Sequence, residues 1–242
     1  MNNFIVLLKG ELQRMKKYNI VAASFLTVLI WIGVLQFSGQ KDVTHLFPIF
    51  IFVDATTMSM LMIGVTMFFE KQEGVLKSLF VSPINKNQYI LAKTFANISS
   101  NLFTLIVLYI YSILVKEIHV NILGLIGAVV LIAIFHSLIG FILTYYSKDF
   151  TNMLIAMMKY IFVLGVPVLL EQLSIIKSDI ISKLLYFVPT KASMNLLQVA
   201  SNTTLKSWEV VISLAYMIIA SILIFIFVSK RFDKFAIKES GV

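Results

Sequence analysis

Residues 68–93 read FFEKQEGVLKSLFVSPINKNQYILAK. The segment leaves a greasy run at Phe69, turns charged at Glu70 and is greasy again from Tyr89. In its middle, Val75, Leu76, Leu79 and Phe80 recur at i, i+3, i+4 spacing, the period of one helical face. Gly74 permits a sharp turn ahead of them, and Pro83 stops the helix. Asn85 and Gln88 are spaced like a capping box for the helix that follows. Glu70 and Glu73 stand at the start of this short amphipathic piece, where a helix dipole favours acids. The spacing predicts a structured knob over 70–83. A plain connector has no use for an apolar face, whereas a docking surface does.

On both sides of the knob the chain is too apolar for a soluble protein. Hydrophobic residues make up 59% of the 242, and charged residues only 13%, about half the usual charged share of soluble domains. Six apolar runs, at about 18–37, 46–69, 89–115, 120–146, 151–170 and 209–229, are each long enough to cross about 30 Å of hydrocarbon as helix. The predicted fold is an all-α membrane protein, a single transmembrane domain over 1–242. No small-residue cleavage site follows the first run, so it reads as a span and not as a signal peptide.

Residues 2–17, NNFIVLLKGELQRMKK, carry a helical amphipathic pattern, with Phe4, Leu8, Leu12 and Met15 on one face and Lys9, Gln13 and Lys16 on another. A basic helix of this kind next to a span lies in the headgroup plane. The net charge of +8 follows the same logic. Thirteen Lys and Arg fall in the N-terminal segment, the loops after spans two and four, and the C-terminal tail; six fall in the opposite loops. The positive-inside rule then puts both termini and the knob in the cytoplasm, at the cell (plasma) membrane. The basic residues flank spans and do not interleave with aromatics, which speaks against nucleic acid as a partner. Residues 171–208 read as an outer-face helical loop. SDIISKLLYFV forms one short helix, Pro189 and Thr190 break it, and ASMNLLQVASN forms a second, both dipping into the membrane interface.

Chemistry is sparse. There is no cysteine, and His45, His119 and His136 lack metal-ligand spacing, so no metal site is expected. No GxSG, HExxH or paired intramembrane aspartates support an intramembrane enzyme. No GxxxxGK[ST] phosphate loop is present either, so ATP would have to bind elsewhere. Asp54 lies within the second span and Lys159 within the fifth. At 1.5 Å per residue their depths differ by roughly 6 Å. They are candidate pathway-lining residues that either pair with each other or meet polar cargo; a purely structural pair, or a lysine that snorkels to the headgroups, is the competing reading.

Glu70-Lys71-Gln72-Glu73-Gly74-Val75-Leu76, closed by Val81-Ser82-Pro83, resembles the signature of membrane-spanning permeases of the ABC type-2 exporter family. A second stretch, Val188-Pro189-Thr190-Lys191-Ala192 with Leu196-Leu197, resembles the segment before the last span of those permeases. The resemblance runs the length of the chain. Val75 departs from the Thr common in the pattern, Lys77 from an acid and Lys191 from a His. The resemblance implies that the knob is a coupling helix, with Glu70, Glu73, Gly74, Leu76, Leu79, Phe80 and Pro83 docking on a separate ABC ATPase subunit. It implies a permease dimer, with a second copy or a paralogue, and no cofactor on this chain, ATP and Mg being held by the ATPase. The expected function is ATP-driven outward transport. The alternative is a secondary transporter; inverted repeats would favour it, but spans one to three do not resemble spans four to six.

Overall fold

The computed structural model describes residues 3–75 and 84–240, with side chains through Phe235. Leu76, Leu79, Phe80 and Pro83, and with them most of the expected knob, lie outside the described residues. The chain is helical almost throughout. It runs α1 (Asn3–Lys17), α2 (Ile20–Phe37), α3 (Phe47–Gln72), α4 (Lys86–Val115), α5 (Ile122–Tyr146), α6 (Phe150–Tyr160), a π turn (Ile161–Gly165), α7 (Val166–Gln172), α8 (Asp179–Leu185), α9 (Pro189–Ala200) and α10 (Ser207–Ser240). Six helices are long and apolar enough to cross a membrane: α2, α3, α4, α5, the α6–α7 composite and α10. Their outward faces carry large apolar side chains, such as Ile30, Phe162 and Leu223, each more than 60% exposed. Such a surface suits lipid and not water.

Local chemistry sets the helix ends. Asn85, Asn121 and Asp149 cap α4, α5 and α6 by accepting hydrogen bonds from the backbone N–H groups of Asn87, Gly124 and Asn152. Pro48 and Pro189 sit in first turns, where a missing N–H costs nothing. The last helix runs eleven residues past the expected 229, because Phe232 and Phe235 are buried against Tyr89 and Tyr145 and keep it ordered.

α3 is the axis of the bundle, with α4, α5, α6 and α9 packed around it. Its closest neighbour is α5. A Cβ on Gly140 would stand 2.9 Å from the Met60 carbonyl, so only glycine allows this approach. Polar groups stitch the same seam. Asn97 donates to the Ser59 carbonyl at 2.9 Å and to Ser137 at 2.7 Å, and Asn101 donates to the Ser59 hydroxyl at 3.1 Å. Small residues and buried amides are what hold helices together where lipid removes the hydrophobic drive.

The 171–208 region departs from the interfacial reading. α9 is a core element, with Thr190, Ala192, Met194, Leu197 and Gln198 all buried. Its polar side chains face protein. Asn195 donates to Ser213 at 3.1 Å, Gln198 to Gln172, and Thr190 to the Leu164 carbonyl inside the π turn. α8, by contrast, leaves Ile180 and Leu184 exposed.

Candidate functional site

At 26 residues, α3 is about 39 Å long, more than the hydrocarbon needs. Its last turns therefore reach the end of the bundle that carries α1, and there they meet a charged junction. Glu70 is fully buried. Its Oε1 lies 2.8 Å from Lys93 Nζ and 3.1 Å from Arg14 Nε, and its Oε2 accepts a 2.5 Å hydrogen bond from the Tyr89 hydroxyl. Lys93 also reaches Glu11 at 3.0 Å, and Arg14 Nη2 reaches Glu11 at 2.5 Å. Two acids and two bases thus cancel in one buried knot that joins α1, α3 and α4. The Arg14 Nε contact is Coulombic, since its N–H is not aligned for a hydrogen bond. Buried ions are tolerated only when paired and hydrogen-bonded in this way.

This geometry corrects the expected role of Glu70. It sits in the last turns of α3 and not at the start of a knob helix, and its carboxylate is spent inside the chain. Glu73 is placed differently. It follows the end of α3, where Lys17 Nζ reaches it at 2.7 Å and the Tyr18 hydroxyl at 2.9 Å. Hydrogen bonds from Lys17 and Tyr18 hold its carboxyl below the usual range. Gly74 then turns the chain with φ +69°, a backbone that favours glycine. The start of the segment that follows α3 is therefore clamped to α1 by Glu73, with Glu70 buried beneath it.

The sequence pattern missed Glu11, Arg14, Tyr89 and Lys93 as members of this junction. One signal was there to read. Glu11 lies at i+4 from Leu7 and i−4 from Met15, and these three are the buried face of α1. An acid on an apolar face needs a cation, and Lys93 is a cation within an apolar run.

The two intramembrane charges are not brought together. Asp54 is buried in α3 with Trp31 of α2 and Thr104 of α4 as its polar neighbours. Lys159 is exposed on α6. Met153, Met157 and Tyr160 form the inward face of that helix, and Lys159 stands about 200° round from Met157. Among the described residues no ion pair joins Asp54 to Lys159. A charge at mid-membrane costs about 2.5–3.5 kcal/mol on insertion scales, so neither position is neutral to its surroundings. His136 is buried at the α5–α6 contact, with Nδ1 3.0 Å from the Ile132 carbonyl and Nε2 3.3 Å from the Tyr160 hydroxyl. It acts as a helix–helix hydrogen-bonding group.

In the second motif, Thr190 satisfies the Leu164 carbonyl, which the π turn takes out of regular pairing. Lys191 pairs with Glu171 at 2.7 Å and so ties α9 to α7.

Residues 2–240 match the profile of the Fluoroquinolones export permease protein family. Two curated proteins, each called fluoroquinolones export permease protein, come from Mycobacterium tuberculosis strains CDC 1551 / Oshkosh and ATCC 25618 / H37Rv. Each is 22% identical to this chain over 243 residues, covering 100% of both sequences. With six membrane-length helices and a match across nearly its full length, the chain belongs to the Fluoroquinolones export permease protein family and is a multi-pass membrane export permease.

Proposed function

We propose that this chain is the membrane-spanning subunit of an ATP-driven exporter of the ABC type-2 class, acting as a single transmembrane domain over 1–242. A separate ATPase subunit binds ATP and magnesium and docks on the segment after Glu70, residues 73–83. The cargo is a drug-like aromatic molecule of the kind for which the relatives are named. The observation that carries the reading is the anchored base of the knob. A chain that only connects two spans needs no buried four-charge junction beneath it, whereas a segment that receives force needs a rigid footing. The 13-to-6 bias in Lys and Arg supports a cytoplasmic position for that footing and for both termini, in the plasma membrane.

A second permease copy or a paralogue completes the pathway. Lys159, exposed on a helix face that also presents Ile155, Phe162 and Val163, fits such an arrangement. A lysine at that depth suits a water-filled cavity between two permeases better than lipid.

Coexpression of the chain with a tagged ATPase encoded beside it tests the coupling. Replacing Leu76, Leu79 and Phe80 with Ala removes the apolar face of the knob. One such anchor at an interface hot spot is worth about 2 kcal/mol, so the triple variant loses copurification and drug efflux while the membrane domain stays folded. Unchanged copurification and efflux would sink the proposal.

A further inference from the structure

The carboxylate of Asp54 differs from every other buried acid described in the chain. Glu11 and Glu70 share Lys93 and Arg14. Asp54, 4% exposed, has no cation beside it among the described residues, and its Oδ1 has no hydrogen-bond partner among them. Its neighbours do not supply a counter-charge. α2 carries no ionisable residue. Of the lysines on α4, Lys93 is held by Glu11 and Glu70, and Lys86 by Asp233. On α5, His136 is engaged with Ile132 and Tyr160. On α9, Lys191 is held by Glu171, and Lys159 of α6 is exposed.

The groups that do face Asp54 are an indole and a hydroxyl, from Trp31 and Thr104. An indole N–H can only donate. A donor suits a carboxylate, and the Thr104 hydroxyl can donate to one as well. The Trp31 Nε1 is likewise buried without a partner. The Trp31 ring lies against Phe50, with centroids 5.1 Å apart. A carboxyl without a cation, an indole N–H that faces it without closing a hydrogen bond, and an aromatic pair therefore converge at one place near the start of α3.

α2 packs along α1 and α4, and its Trp31 lies against Phe50 and beside Asp54.

We propose that the Asp54–Trp31–Thr104 niche is the recognition point for the positively charged nitrogen of an aromatic amine. The ammonium pairs with Asp54, and the aryl ring takes up contact with Trp31 and Phe50, where cation–π attraction adds to the pairing. The inference rests on the reading of the chain as an export permease for aromatic drugs, and it names the chemical class of cargo.

The full chain in phosphatidylcholine nanodiscs, with Trp208→Phe to leave Trp31 as its one tryptophan, provides the assay. 1-Phenylpiperazine is cationic at neutral pH, and 4-phenylmorpholine has the same shape without the charge. Titration of Trp31 fluorescence should show a saturable change with the first, and a response at least about tenfold weaker with the second. Asp54→Asn should weaken the first by a similar factor, and Asp54→Glu should retain it. The two-ligand comparison needs no substitution at position 54, so misfolding of a position-54 variant cannot obscure it. Equal responses to both ligands, or no change in Asp54→Asn that is folded by circular dichroism, overturn the proposal and leave Asp54 as a structural acid. No ATPase is present in the assay, so its failure leaves the ATP-driven reading standing, and the failure of ATPase copurification leaves this niche standing.

Discussion

Lys93 holds two carboxylates at once, Glu11 at 3.0 Å and Glu70 at 2.8 Å, and has 1% of its side chain exposed. Removing it leaves both acids with Arg14 as their shared cation. Breaking a buried pair from one side typically costs 3–5 kcal/mol, so Lys93→Met is expected to destabilise the chain by about that much. Thermal unfolding in detergent measures it. The double variant Glu70→Gln/Lys93→Met removes one acid with the base and should recover more than half of the loss. A double variant as unstable as Lys93→Met alone would show that the pairing has been misassigned. At this scale the sequence was least legible. Glu70 read as a partner-facing acid because neighbouring positions say what a residue is near in the chain and not what it meets in space. Its real partners are Arg14 and Lys93, 56 positions before it and 23 after. Gly74, whose turn is local, was read as the structure has it, whereas the partners of Glu73, Lys17 and Tyr18, are as remote in sequence as Arg14 is from Glu70.

Among elements, the pairing of α3 with α5 is the tightest described, and it depends on a missing side chain. Gly140→Ala would drive a Cβ to 2.9 Å from the Met60 carbonyl and 3.0 Å from its Cα. Backbone cannot yield as a side chain does, so overpacking of about 1–3 kcal/mol is expected. Gly127→Ala on the same helix meets nothing within 4 Å, and the better helix propensity of alanine should leave it neutral or slightly stabilising. Compared by melting temperature in the same detergent, Gly140→Ala should fall clearly below the parent while Gly127→Ala stays level with it or above; equal losses would contradict the close approach. The spans themselves were plain in the sequence, and most ends fall within three residues of expectation, since length and apolarity are all that a crossing requires. α9 was not plain. Thr190, Ser193, Asn195 and Gln198 give it the polarity of a surface helix, and only the surrounding α7 and α10, with Gln172 and Ser213 as partners, make it an interior one.

For the molecule as a whole, an even number of crossings places α1 and the end of α10 on one side. Native cysteine is absent, so single introduced cysteines report sidedness cleanly. Gln13→Cys on α1 and Thr204→Cys in the loop before α10 are both exposed positions. In whole cells an impermeant maleimide should label Thr204→Cys readily and Gln13→Cys only after lysis. Labelling of both from the same side would overturn the even count, and reversed labelling would overturn the orientation. The charged junction also sets an order of assembly. The ribosome makes Glu11 and Arg14 first, Glu70 after two crossings, and Lys93 only with the third. Until Lys93 emerges, the nascent chain holds two acids against a single arginine at the membrane surface. While the first two spans stand alone, the junction beneath α1 therefore lacks one of its two cations. The arrival of α4 closes the knot, and the segment from 70 to 85 between them is fixed at both ends in the same event. Charge balance at the junction is thus complete only once the third span is in place.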